Sequence, residues 1–161
     1  MNWSRRGPAV LSRRPQRSRL WLHRRRSSCR CRRTPRPCRP RLEAAVSDAY
    51  FDYDKSDIRD DARTTLAKDA AALRSILADF PNAVIVLEGH CDDRGSAEYN
   101  LGMGELGAAS ASAYLEGLGV ETGRLQRISH GKEKPVCTES SEACWQKNRR
   151  VHFAAGASGA N

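Results

Sequence analysis

Between Val84 and Gly107 the chain reads VIVLEGHCDDRGSAEYNLGMGELG. Four apolar residues, Val84-Ile85-Val86-Leu87, have the length and β-branched content of a buried strand. A polar turn follows, Glu88-Gly89-His90-Cys91-Asp92-Asp93-Arg94-Gly95, and Ser96 then offers a cap for a helix opening at Ala97. A strand that passes through a short polar turn into a helix points to an α/β unit. The turn sits where backbone donors and the helix dipole favour an anionic or zwitterionic ligand, and Asp92 supplies a countercharge.

The flanking segments extend this pattern. Ala49-Tyr50-Phe51-Asp52-Tyr53 predicts a short strand entering a turn at Asp54-Lys55-Ser56. Asp57 is placed to cap a helix from Ile58, whose apolar residues Ile58, Ala62, Leu66, Ala70, Leu73 and Leu77 keep helical spacing. Asp60 and Asp61 favour its first turn, and Phe80-Pro81-Asn82 ends it. The second helix should run from Ala97 to about Glu116, stopping at Gly117 and Gly119. Leu125–Ser129 reads as a third strand before the loop His130–Pro135. Ser141–Gln146 suggests a short helix, and Arg150–Phe153 the last strand. The order β-α-β-α-β-(α)-β predicts an α/β sandwich with helices packed on one mixed sheet.

Charge divides the chain. Residues 1–42 hold fifteen Arg and no Asp or Glu, while the remainder has thirteen basic and nineteen acidic residues. The overall charge of +9 therefore belongs to the tail, and the acidic remainder argues against a nucleic-acid-binding fold. Rich in Arg, Pro and Ser without hydrophobic periodicity, residues 1–43 read as a disordered basic tail or a mis-called N-terminus. No apolar leader with a small-residue site precedes Cys29 or Cys38. Residues 44–155 form the expected domain, and 156–161 a frayed end. As a genuine arm, the tail would suit nucleic acid or an anionic surface, the reading of a cytoplasmic protein.

Cys137 and Cys144 flank a short polar loop and are suited to a disulfide in an oxidising compartment, free thiols being the alternative; a zinc site lacks a second pair. Enzyme readings find little support. His90 and Cys91 are adjacent and, if extended, point to opposite faces, so they do not make a nucleophile–base pair. His90 and Asp92 share a face but suggest no third metal ligand. Glu88, Asp92 and Asp93 contain candidate carboxylate pairs for glycoside hydrolysis, without a spacing in space to judge.

The stretch GHCDDRGSAEYNLGMGE resembles the core signature of the OmpA-like peptidoglycan-binding domains, and within them most closely the peptidoglycan-associated lipoproteins (Pal). The usual form is a GHxDERG turn, a Tyr-Asn pair, then a helix bearing Glu-Arg-Arg-Ala. Tyr50–Lys55 upstream, with His130–Pro135 and Lys147–Val151 downstream, agree in order and spacing. The resemblance implies a non-enzymatic module without cofactor or metal. Asp92 would bind the ammonium of meso-diaminopimelate in the peptidoglycan stem peptide, and Phe51 and Asp52 belong to a turn whose backbone amides help hold the ligand. Helical spacing puts Asn100, Met103 and position 107 on one face. There the family carries an Arg that grips the ligand carboxylate; this chain has Gly107. One lost charge-assisted contact costs about 1.5–3 kcal/mol, roughly ten- to two-hundredfold in affinity. Arg94 and Arg149 are the cations that could replace it. The implied partners are peptidoglycan, the periplasmic β-propeller protein of the Tol system, and the outer membrane through a lipid anchor not evident in this sequence.

Overall fold

In the computed structural model, residues 38–156 are described; the reading of residues 1–37 as a disordered tail and of 157–161 as a frayed end lies outside them. Chain order gives α1 (Cys38–Ala45), β1 (Ala49–Tyr50), α2 (Asp60–Asp79), β2 (Val84–His90), α3 (Ala97–Gly117), a 3-10 turn (Thr122–Arg124), β3 (Leu125–Gly131), α4 (Glu142–Asn148) and β4 (Arg150–Gly156). The result is an α/β fold, four helices on one mixed four-stranded sheet ordered β1-β4-β2-β3. β2 pairs with β3 in parallel, the geometry that a crossover helix such as α3 permits, while β4 runs antiparallel to both β1 and β2.

Period-two alternation decides which face of the sheet is covered. Ile85 and Leu87 of β2 and Val151 and Phe153 of β4 are all buried, in one cluster with Leu66, Leu73 and Ile76 of α2 and Ala108, Ala111 and Leu115 of α3. Each buried Leu, Ile or Phe contributes about 1.5–3 kcal/mol, so these rows account for most of the driving force. Gly89, between Leu87 and the turn, also faces α3. A Cβ built on it would lie 2.0 Å from the Gly104 carbonyl oxygen, and one on Gly104 would lie 2.3 Å from Ser129 Oγ. Helix and sheet therefore approach along a seam that only glycine fits.

Several boundaries differ from expectation, each for a reason of pairing. β2 continues through Glu88, Gly89 and His90, because these pair with His152, Val151 and Arg150 of β4. The polar turn thus starts at Cys91. β4 likewise runs on to Gly156, held opposite Val84–Val86. β1 is shorter than expected, although the Phe51 amide still donates to the Arg149 carbonyl at 3.0 Å.

At the start of α2, Asp57 is not the cap. Arg59 occupies that place without a side-chain cap bond, its guanidinium instead gripping Asp61 through two 3.0 Å contacts and Asp52 at 3.1 Å. The C-terminal end of α2 is closed by Arg124, which donates to the carbonyls of Ala83 at 2.8 Å and Leu77 at 3.1 Å.

The core also reaches further upstream than residue 44. Cys38 and Leu42, four residues apart on one face of α1, are fully buried in the same cluster, and Arg41 pairs with Asp79. Composition hid this short helix, since Arg39, Pro40 and Arg41 continue the basic, Pro-containing character of what precedes it. Among the described residues no helix is long and apolar enough to cross a membrane.

Candidate functional site

Where β2 ends, the chain turns at Cys91 and Asp92 and re-enters the fold as α3. Ser96 performs the capping expected of it, its Oγ accepting the Tyr99 amide at 3.1 Å. The Asn100 side chain reaches back and donates to the Arg94 carbonyl at 2.6 Å, which ties the turn to the helix. Gly95, at φ +83°, supplies the left-handed conformation between them. The turn is therefore held in a fixed shape before any ligand arrives.

A cleft opens beside it, lined by Phe51, Asp52, Asp92, Arg94, Asn100, Met103, Gly107 and Arg149. The eight positions proposed from the sequence thus converge, from the loop after β1, the tip of β2, one face of α3 and the junction of α4 with β4. Phe51 is buried and packs beneath the cleft; its amide is already bonded to the Arg149 carbonyl. Asp52 pairs with Arg59 rather than standing free. Tyr99 closes one side, its hydroxyl bonded to Asp54.

Asp92 is the electrostatic centre, only 3% exposed. Its Oδ2 accepts from Arg94 Nη2 at 2.6 Å, Arg94 Nε at 3.2 Å and Arg149 Nη1 at 3.0 Å. Burial pushes the carboxyl up, but the hydrogen bonds from Arg94 and Arg149 outweigh it and hold the group below the usual carboxylate range. Asp92 is accordingly an anion at neutral pH. Neighbouring Asp93 is exposed, and Arg94 pairs with Asp92 instead of with it.

Three aromatic and polar groups were not singled out by sequence. Tyr53 and Trp145 sandwich the Arg94 guanidinium, at 4.0 and 4.2 Å from the ring centres. Glu142 takes Arg149 Nη2 at 2.6 Å. The acid and the indole come from α4, more than forty residues from the turn, and only folding brings them there. α4 is itself secured by the Cys137–Cys144 disulfide and by Asn148, whose Oδ1 accepts the Val136 amide at 2.9 Å and whose Nδ2 donates to the Cys137 carbonyl at 2.7 Å.

The neighbouring groups do not assemble a reacting pair. Cys91 Sγ donates to the Asn100 carbonyl at 3.2 Å, and burial pushes its thiol up to about 11. Burial, with Arg150 nearby, pushes His90 down to about 4, and neither of its ring nitrogens has a hydrogen-bond partner among the described residues. Among those residues no group of His, Cys, Asp and Glu is arranged to hold a metal. A fixed anion, two guanidiniums and an apolar floor are the makings of a binding site for a small charged ligand.

Known proteins resemble this chain in sequence and in fold. The OmpA family matches residues 50–149. The chain is 46% identical over 102 residues to the peptidoglycan-associated lipoprotein of Mesorhizobium japonicum, covering 63% of this chain and 58% of that protein. With the peptidoglycan-associated lipoprotein of Rhizobium meliloti it shares 44% over 110 residues, 68% of this chain and 60% of that one. The chain thus spans somewhat under two thirds of the length of these relatives. The crystal structure of the peptidoglycan-associated lipoprotein from Burkholderia pseudomallei superposes with a TM-score of 0.63 at 35% identity, covering 70% of this chain and 92% of that one. The C-terminal domain of Helicobacter pylori MotB shares the fold at a TM-score of 0.63 and 19% identity, over 69% and 84% of the two chains.

Proposed function

This chain belongs to the OmpA family, and from that premise we propose that its cleft binds peptidoglycan non-covalently through the diaminopimelate end of the stem peptide. The observation that carries the reading is Asp92, a buried carboxylate at the head of the cleft, fixed by the turn and flanked by guanidiniums. A diaminopimelate side-chain end presents one ammonium and one carboxylate. Asp92 answers the ammonium, and cations lining the same cleft answer the carboxylate. Nothing in this chemistry requires a bond to be made or broken, so the site acts as a binding module rather than an enzyme.

The relatives named as peptidoglycan-associated lipoproteins support a place for this domain at the periplasmic face of the outer membrane, tethering that membrane to the wall in a Tol-Pal-type system. The periplasmic β-propeller protein of the Tol system is the protein partner that this reading brings with it. The acidic character of the residues after the tail favours the wall-binding role over a nucleic-acid one.

Gly107 is the departure that weakens the site. It lies in the wall of the cleft, where a Cβ would meet Val151 Cγ2 at 3.9 Å and Phe51 Cζ at 4.0 Å, ordinary contacts that a Cβ makes without displacing either. Gly107→Arg should therefore improve retention on isolated diaminopimelate-containing sacculi at least about tenfold, and Asp92→Ala should abolish that gain. Sacculus binding that responds to neither substitution would rule out this site as the seat of the function.

A further inference from the structure

Asp92 has little left to offer a cationic ligand. Its Oδ2 already accepts three guanidinium N–H groups, and its Oδ1 accepts the Arg94 amide at 3.2 Å. The two arginines that occupy it are held very differently. Arg149 is 7% exposed, and its other donors go to the Phe51 carbonyl at 3.3 Å, Glu142 Oε1 at 2.6 Å and Gln146 Oε1 at 2.8 Å. It is a fixed part of the wall. The Arg94 side chain is 31% exposed; among the described residues its one ion-pair partner beyond Asp92 is Glu142, 3.8 Å away and itself exposed.

The rest of the Arg94 guanidinium's surroundings are the faces of Tyr53 and Trp145. Such faces hold a planar cation without fixing its direction in the plane. Meanwhile the backbone of Arg94 is pinned through its carbonyl by Asn100, so a change of partner needs only the side chain to move.

We propose that Arg94 is a self-ligand of this site. Its guanidinium stands on Asp92 Oδ2, where a ligand ammonium would sit. On binding it leaves Asp92 to that ammonium and turns to the ligand carboxylate, the contact that Gly107 cannot make. This rests on the diaminopimelate reading above and adds a specificity rule to it. A zwitterionic end offers both an ammonium for Asp92 and a new carboxylate partner for Arg94, so the ion pairs are exchanged without one being lost. A simple amine, such as the lysine found at this position in other stem peptides, must evict Arg94 and give it nothing in return.

The test is a double-mutant cycle in the full chain, reading affinity for two soluble muropeptides that differ only in meso-diaminopimelate or lysine at the third residue. In the parent, Arg94→Gln should weaken the diaminopimelate peptide about tenfold, one charge-assisted contact being lost, and tighten the lysine peptide. In a Gly107→Arg background, where the carboxylate has its own clamp, Arg94→Gln should instead tighten the diaminopimelate peptide. Arg94→Lys, which keeps a charge beside Asp92 but not the planar fork, should give the same signs at smaller amplitude and serves if the Gln variant folds poorly. An effect of the same sign in both backgrounds, or none, with diaminopimelate binding intact and dependent on Asp92, overturns the self-ligand while leaving the site standing. Failure of parent and Gly107→Arg alike to bind either peptide overturns the wall-binding reading, and this inference with it.

Discussion

Helix α3 carries two buried glycines one turn apart, and they are glycine for opposite reasons. Gly104 lies against Gly89 with no room for a methyl group on either side. Gly107 has nothing closer to its absent Cβ than 3.9 Å and opens on the cleft. The first is a condition of the fold, because it lets the helix come down onto the sheet and carry Asn100 and Met103 to the site. The second lies in the cleft wall, where the proposed function reads it as a missing ligand contact. The same residue type in one helix thus marks a packing limit at one position and, on the proposed function, a missing ligand contact at the next.

The largest expected effect breaks the first half of that comparison. Gly89→Ala places its methyl on the Gly104 backbone, which has no flexible end to yield, so it should cost about 3 kcal/mol or more. Thermal unfolding should shift down by roughly ten degrees. Gly104→Ala should cost less, because its first obstacle is the Ser129 hydroxyl, which can rotate. If both variants melt with the parent, the seam is not what sets the helix height.

The opposite wall of the cleft offers the next test. There α4 supplies Trp145, Glu142 and Gln146 around the arginines, and it is tied down by the disulfide and by Asn148. Removing the bridge with Cys137→Ser and Cys144→Ser should destabilise the domain by about 2–3 kcal/mol, as expected for a short loop. Denaturant unfolding with and without reductant measures it. Equal midpoints would mean that Asn148 alone secures this wall.

Much of this architecture could be read from the chain because its signals are local. The apolar run at Val84–Leu87, the Ser96 cap and the helical spacing of Leu66, Ala70, Leu73 and Leu77 each specify their own element. The site was legible as far as the resemblance carried it: the family signature singled out Asp92, Asn100, Met103 and Gly107, and these line one cleft. What the chain did not reveal depends on distant partners. β2 extends through Glu88–His90 only because β4 pairs with those residues, and α1 is ordered by burial of Cys38 and Leu42 rather than by its own composition. Tyr53 and Trp145 come to Arg94 from ninety-two residues apart, with no periodicity to link them. The presence of Arg94 and Arg149 could be seen in the sequence, but their joint occupation of one carboxylate oxygen could not.

The smallest effect separates the two meanings of Gly107. Replacing it with Arg changes helix propensity, packing and charge together, so a gain in sacculus binding does not by itself show which mattered. Gly107→Ala isolates the first two. Glycine in a helix interior is about 1 kcal/mol less favourable than alanine, and the new methyl would sit at contact distance from Val151 and Phe51 without pushing either. The variant should therefore unfold a few degrees higher than the parent. Its affinity for sacculi should stay within about twofold, because a methyl group cannot answer a carboxylate. Gly102→Ala is the companion measurement: its Cβ would meet nothing within 4 Å, so it should give the propensity gain with no new contact. An alanine at 107 that destabilised the domain would mean the position is a second packing limit, like Gly104. One that matched Gly107→Arg in binding would move the cause from charge to a stiffer helix.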